Sequence, residues 1–277
     1  MRTALLQISS SDDPAENLTE TRTRITDAVA DGAGFVLTPE VTNCISTSRR
    51  HQAAVLQFQE HDQSLAGLRE EAARHGIWLL IGSLALKTED ADGRFANRSF
   101  LITPEGEIAA WYDKIHMFDV QVNETETYRE SAAYRPGDRA VVAETPFGRV
   151  GLTVCYDVRF PDLHRTLAQN GAQILTAPAA FSPVTGAAHW MPLLRARAIE
   201  TGCYVLAPAQ CGDHKIRQGK PRQTYGNSVA ISPWGEIIAQ ANDAPETVFL
   251  DLDLTQVDKA RGRVPSLTHD RDFKIDL

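Results

Sequence analysis

Four cysteines in 277 residues are too few for a disulfide-built fold. Cys44, Cys155, Cys203 and Cys211 form no C-x-x-C pair, and no histidines stand at zinc-finger spacing. Free thiols in a reducing compartment follow. Positive charge is also short: 28 Lys and Arg face 36 Asp and Glu, for a net charge of −8. That balance argues against nucleic acid or an anionic membrane surface as a partner. The longest apolar stretch, Ile77 to Leu86, covers about half a membrane span. Met1-Arg-Thr leads straight into the strand-like run Ala4–Ile8, with no apolar signal segment. A cytoplasmic protein is the expectation. Low-complexity tracts and long linkers are missing too.

What the chain does have is length for a sizeable core and an internal repeat. Ser99-Phe-Leu-Ile-Thr-Pro-Glu-Gly-Glu-Ile-Ala-Ala110 matches Ser228-Val-Ala-Ile-Ser-Pro-Trp-Gly-Glu-Ile-Ile-Ala239. Both read as hairpins turning on Pro-x-Gly. Upstream, Gly32–Pro39 aligns with Gly171–Pro178, Arg69–Leu80 with Arg195–Leu206, and Ala4–Ile8 with Gly151–Cys155. Each half reads strand–helix–strand–helix–strand–strand–strand. Helices alternating with apolar strands imply βαβ units and sheets covered by helices on their outer faces. Two such halves predict an α/β fold, a four-layer α-β-β-α sandwich with a pseudo-twofold axis. Because the halves would share one core, residues 1–277 read as a single domain.

In open α/β sheets, sites form beyond the C-terminal ends of strands. Cys155 ends the strand Gly148-Arg-Val-Gly-Leu-Thr-Val-Cys155, and Pro161 suits the first turn of a helix reaching Asn170. A thiol facing a helix N-terminus favours the reactive thiolate. Serine hydrolases present their nucleophile on a similar elbow. Glu40 closes Gly34–Glu40 and Lys114 closes Glu107–Lys114, whereas their repeat counterparts are Ala179 and Asp243. Any one of these residues alone reads better as a packing thiol or a solvated loop charge. Together they supply a nucleophile, a proton carrier and a cation for acyl transfer from an amide. His116 reads as shaping the loop around Lys114, and His164 as helix surface or packing. Cys203 reads as core. Cys44 and Cys211, in expected loops, lack the strand-to-helix setting of Cys155.

Pro39-Glu40, Asp113-Lys114-Ile-His-Met-Phe118 and Gly151-Leu-Thr-Val-Cys155-Tyr-Asp-Val-Arg-Phe-Pro-Asp-Leu163 resemble, in order, the three blocks of the nitrilase superfamily of carbon–nitrogen hydrolases. The resemblance spans essentially the whole chain. It implies a Glu40–Lys114–Cys155 triad and a sandwich that forms a homodimer. It also implies a supporting glutamate in the loop between the last two blocks. Glu130, ahead of Pro136-Gly137-Asp138, matches that residue best, with Glu124 and Glu126 as competitors. Leu194-Arg-Ala-Arg-Ala-Ile-Glu-Thr201, with His189-Trp190 and Ala209-Gln-Cys-Gly212, resembles the Nit branch. That branch implies hydrolysis of deaminated glutathione, with omega-amidase action on 2-oxoglutaramate as the neighbouring reading. The basic segment Asp213–Arg222 and the Asp119–Tyr128 loop depart from the pattern and leave the substrate open.

Under this reading Cys155 carries a thioester, and Lys114 with the Tyr156 N–H holds the oxyanion. Arg159 is the candidate carboxylate anchor, and Phe118 and Phe181 are candidate pocket walls. Arg195, Arg197 and Glu200 read as a structural ion-pair network beneath the site. No metal or organic cofactor is required, and the partner is a small-molecule amide. Rival readings are an N-carbamoyl amino acid hydrolase on the same triad, a catalytically silent interaction module, and a thiol redox protein. The last lacks a resolving cysteine at any suggestive spacing.

Overall fold

The computed structural model describes residues 1–122, 124 and 126–276. The first half runs β1 (Arg2–Gln7), α1 (Pro14–Ala30), β2 (Phe35–Leu37), α2 (Arg49–Val55), α3 (Gln63–His75), β3 (Trp78–Leu86), β4 (Ala96–Ile102) and β5 (Ile108–Asp113). A small hairpin of β6 (Asp119–Gln121) and β7 (Thr127–Arg129) leads to β8 (Val141–Thr145). The second half runs β9 (Gly148–Leu152), α4 (Pro161–Gln169), β10 (Ile174–Thr176), α5 (Pro183–Thr201) and β11 (Tyr204–Ala207). A second hairpin, β12 (Cys211–Asp213) with β13 (Gln223–Tyr225), precedes β14 (Val229–Ile231), β15 (Ile237–Gln240), β16 (Glu246–Asp251) and α6 (Thr255–Arg263).

Two six-stranded sheets result, ordered β16-β1-β2-β3-β4-β5 and β8-β9-β10-β11-β14-β15. The orders correspond strand for strand, so the duplication read from sequence is a property of the fold. It was one strand short per half. β8 lies antiparallel on β9, and β16, from the far end of the chain, lies antiparallel on β1. Equivalent turns need equivalent glycines. Gly76 and Gly202 end α3 and α5 with φ of 63° and 58°, a left-handed region that costs a side chain but not glycine.

Strand alternation sorts the core into layers. Leu5, Phe35, Leu37 and Leu80 point at the second sheet and pack with Val150, Leu152, Ile174 and Val205. Their neighbours Ala4, Leu6, Val36, Leu79 and Ile81 point the other way, under Ile25 and Ala28 of α1 and Leu65 and Leu68 of α3. Leu163 and Leu167 of α4 and Leu194 and Ala198 of α5 cover the second sheet. Each fully buried aliphatic side chain contributes about 1.5–3 kcal/mol, which makes this layering the main source of stability. Local signals then fix the helix ends. Asp13 and Asp62 cap α1 and α3 by accepting from Ala15 and Leu65 N–H, and Pro14, Pro161 and Pro183 open α1, α4 and α5. Among the described residues, no helix is long and apolar enough to cross a membrane, and no cluster of His, Cys, Asp or Glu could hold a metal ion.

Candidate active site

Glu40, Lys114 and Cys155 each follow a strand, and the two sheets bring them to one place. Glu40 comes two residues after Thr38, beyond the end of β2, and is only 4% exposed. Gly82 of β3 lets this turn close in. A Cβ there would lie 2.0 Å from Thr38 O, 2.5 Å from Pro39 O and 2.6 Å from Pro178 Cβ. The second half then grips the glutamate. Ala180 N donates to Glu40 Oε2 at 2.8 Å, and Gln210 Nε2 donates to Glu40 O at 3.0 Å.

Lys114 follows β5 and is 2% exposed. Its backbone is held on both sides, Lys114 N to Asn97 O at 3.0 Å and Gly137 N to Lys114 O at 2.8 Å. The ammonium donates to Glu40 Oε1 at 2.9 Å and to Glu130 Oε1 and Oε2 at 2.9 and 2.8 Å. Glu130 Oε2 also accepts from Phe118 N at 2.6 Å. Asn97 Nδ2 ties the two carboxylates together, 2.9 Å from Glu40 Oε1 and 3.4 Å from Glu130 Oε1.

Cys155 stands on a strained bend with φ of +50°, a region that costs a non-glycine residue on the order of 1–3 kcal/mol. Cys155 N donates to Pro178 O at 2.9 Å. Fully buried Asp157 clamps the bend. It accepts from Val154 N at 2.8 Å, Tyr112 Oη at 2.7 Å, His116 N at 3.0 Å and His116 Nδ1 at 2.7 Å. Arg197 supports the same bend from α5 by donating to Val158 O at 2.8 Å, and it pairs with Glu200. Tyr156, on the same bend, lines the cavity.

Burial pushes the Cys155 thiol up, the neighbouring Glu40 charge adds to this, and Lys114 only partly opposes it. The resting sulfur is therefore a thiol, well above its ordinary value. For Glu40 burial favours the neutral acid. The Lys114 charge and hydrogen bonds from Lys114, Cys155 and Asn97 outweigh it and hold the carboxyl below its usual range. Burial would likewise push Lys114 down, but Glu130 and Glu40 reverse this and keep it a cation. The arrangement offers a thiol, a neighbouring carboxylate, and a fixed cation paired with that carboxylate, on the lining of an open cavity of about 520 Å³. Phe118, Tyr128, Tyr156 and Phe181 form its walls. Such a floor can attack a carbonyl carbon, carry the thiol proton and stabilise an oxyanion.

Residues 2–262 match the carbon-nitrogen hydrolase family. The chain is 41% identical over 272 residues to the deaminated glutathione amidase of Yersinia enterocolitica, covering 97% of this chain and 92% of the relative. The chain belongs to the carbon-nitrogen hydrolase family. Among solved structures, Saccharomyces cerevisiae Nit3, a member of branch 10 of the nitrilase superfamily, superposes with a TM-score of 0.86 at 28% identity. That match covers 99% of this chain and 97% of the other. An amidase from Nesterenkonia, in which acrylamide has added to the active site cysteine, gives 0.77 at 26% identity, over 96% and 98% of the two chains.

In this hydrolase the structure brings Glu40, Lys114, Glu130 and Cys155 together, with Tyr156, Phe118 and Phe181 on the cavity wall. It also separates the loop glutamates. Glu130 meets Lys114, Glu124 is exposed, and Glu126 lines the cavity while accepting from Tyr128 Oη at 2.6 Å. Two expectations need correction. α4 opens on Pro161 as expected, but a 3-10 turn, Cys155–Arg159, separates its N-terminus from the thiol. Burial and Glu40 then set the thiol's state, not a helix dipole. Arg159 does not line the cavity. Its guanidinium lies 5.8 and 5.7 Å from the ring centroids of Tyr156 and Phe181, and Nη2 is 3.2 Å from His189 Nδ1. A smaller difference concerns Cys211, which opens strand β12; His164 takes the packing alternative, buried with Nδ1 3.0 Å from Phe160 O. Asn97 and Asp157 were missed as site residues. Asp157 sits inside the cysteine block, two residues beyond the nucleophile candidate, and that position was the available signal. Asn97 carried none.

Proposed function

We propose that this hydrolase cleaves deaminated glutathione to 2-oxoglutarate and cysteinylglycine through a thioester on Cys155. The observation that carries the reading is the Glu40–Lys114 ion pair set against the Cys155 thiol on one cavity floor. The name of the Yersinia relative supports the substrate, and the acrylamide adduct of the Nesterenkonia amidase supports a cysteine nucleophile. Glu40 accepts the Cys155 proton as sulfur bonds to the amide carbonyl carbon. The oxyanion that forms is held by Lys114 Nζ and the Tyr156 N–H. On collapse the C–N bond breaks, and Glu40 returns the proton to the departing amine. Glu40 next deprotonates a water that attacks the thioester, releasing the acid and restoring the thiol. Glu130 keeps Lys114 in place throughout. A thiol held neutral at rest suits this sequence, since the proton moves only when a carbonyl is there to attack.

The cavity volume favours a substrate with a large leaving group. About 520 Å³ lies within the range of pockets that hold drug-sized ligands, and 2-oxoglutaramate would leave much of it empty. A kinetic panel of deaminated glutathione, 2-oxoglutaramate and N-carbamoyl amino acids tests the substrate. Acid quenching with mass spectrometry of Cys155 tests the thioester. Full activity in Cys155→Ala would end the mechanism, and hydrolysis of carbamoyl amino acids alone would end the substrate reading. We further propose that residues 1–277 act as one domain, in the cytoplasm, as a homodimer. Exposed Ile199, Trp234, Ile237 and Ile238 on α5 and the β14–β15 hairpin support a self-association face. Light scattering after gel filtration reads the oligomer.

A further inference from the structure

The floor and the mouth of the cavity carry opposite charge. At the floor two carboxylates, Glu40 and Glu130, outnumber the single Lys114 cation. Farther out the lining includes Arg49, Arg129, Lys220 and Arg222 against Glu126, on a protein whose overall charge is −8. These cations are not equivalent. Arg49 is spent on the carbonyls of Ala132, Asp92 and Gly93, and Arg129 and Lys220 are exposed. Arg222 alone is half-buried, its guanidinium 5.0 Å from the centroid of the Tyr128 ring, and without a carboxylate salt bridge among the described residues.

Its placement is tied to the reacting atoms. Arg222 Nη2 donates to Ala180 O at 2.9 Å, and the N–H of the same residue, Ala180, donates to Glu40 Oε2 at 2.8 Å. One residue of backbone spans about 3.5 Å, so the guanidinium lies within about 10 Å of the Glu40 carboxylate on the cavity floor. That bond occupies one N–H, and the planar fork has others to offer a carboxylate. The Tyr128 ring and the bond to Ala180 O restrain the guanidinium, which lowers the ordering cost of using it.

We infer that Arg222 is the carboxylate anchor of this hydrolase and that it sets a preference for amides whose acyl chain ends in a carboxylate. An acyl chain of four or five carbons suits the span from the cavity floor to the fork. This assignment rests on the amidase reading above. It replaces Arg159, the nearest arginine in sequence, with one delivered by the β12–β13 hairpin from 67 residues beyond Cys155.

The experiment compares glutaramate, pentanamide and 5-aminopentanamide, which are anionic, neutral and cationic amides of one chain length. In wild-type protein glutaramate has the highest kcat/KM. In Arg222→Gln the glutaramate-to-pentanamide ratio falls roughly 10- to 100-fold, mainly through KM, because one charge-assisted contact is lost. Arg222→Glu moves the preference to 5-aminopentanamide, and Arg222→Lys keeps part of the anionic preference. A disturbed Ala180 peptide would slow all three amides alike and leave the ratio unchanged, so the ratio separates recognition from a structural effect. An unchanged ratio in both Arg222→Gln and Arg222→Glu, folded by circular dichroism, overturns the assignment alone. Wild-type protein inert toward all three amides and toward deaminated glutathione overturns the amidase reading, and this one with it.

Discussion

Replacing Lys114 by methionine tests how the site is held. The ammonium makes three contacts of 2.8–2.9 Å with two carboxylates, and the side chain is 2% exposed. Methionine fills similar space but leaves Glu40 and Glu130 facing each other without a cation. Removing one partner of a buried pair costs about 3–5 kcal/mol. Two carboxylates depend on this one, which places Lys114→Met toward the top of that range at pH 8. The loss has a pH signature. Freed of Lys114, the buried pair takes up a proton, so its folded pKa rises above the unfolded value. A raised folded pKa gives stability that is present at low pH and lost as pH rises. The deficit relative to wild type should therefore shrink at pH 5.5, by about 1.4 kcal/mol for each unit of upward shift reached. Urea unfolding at both pH values reads this directly. Lys114→Met/Glu130→Gln should recover part of the pH 8 deficit, because one of the stranded charges is gone. Turnover falls at least about 10²- to 10³-fold with the oxyanion donor. A deficit equal at both pH values, or no recovery in the double variant, would refute the account of Lys114 as the shared counter-ion.

Gly82→Ala puts a methyl group against the Thr38 and Pro39 carbonyls and the Pro178 ring, so it should cost about 1–3 kcal/mol and lower kcat by displacing Glu40; wild-type melting and turnover would contradict the close approach. Burial lowers His164 and His214 to about 4 in the folded protein. Unfolded histidine therefore binds the proton first as pH falls from about 6.5 toward 4, and each residue withdraws up to about 3 kcal/mol over that window. Burial raises Asp62 to about 6, which works in the opposite direction and offsets about one histidine. Urea midpoints from pH 7 to 4.5 should fall, and His164→Gln should flatten the slope; an unaltered slope in that variant would exclude His164 as its source.

Much of the fold was legible because the chain states it twice. The Pro-x-Gly hairpins, the helix-ending glycines and the short apolar strands recur at matched spacing, and the sheets follow them. β16 was not legible, since Glu246–Asp251 finds its partner at the other end of the chain and no local pattern announces that. The floor of the site was legible through strand ends. The state of Cys155 was not, because desolvation by the opposite sheet depends on packing that periodicity does not report. Asn97 lies inside β4, where a polar residue facing two glutamates looks like any other polar strand position. Arg222 lies in a segment that departs from the family pattern, and only the fold of the β12–β13 hairpin turns it toward the cavity.

The pairing of β1 with β16 also sets a timetable for synthesis. β1 waits for β16, and the backbones of Met1 and Leu252, 251 residues apart, end up bonded to each other. Until Asp251 leaves the ribosome, the N-terminal sheet presents β1 as an open edge, with a run of apolar residues behind it. Such edges recruit other strands. The nascent chain therefore passes through a long interval in which most of its core can form while one sheet remains open to the wrong partner. Premature termination before residue 246 should yield aggregates rather than a shortened enzyme.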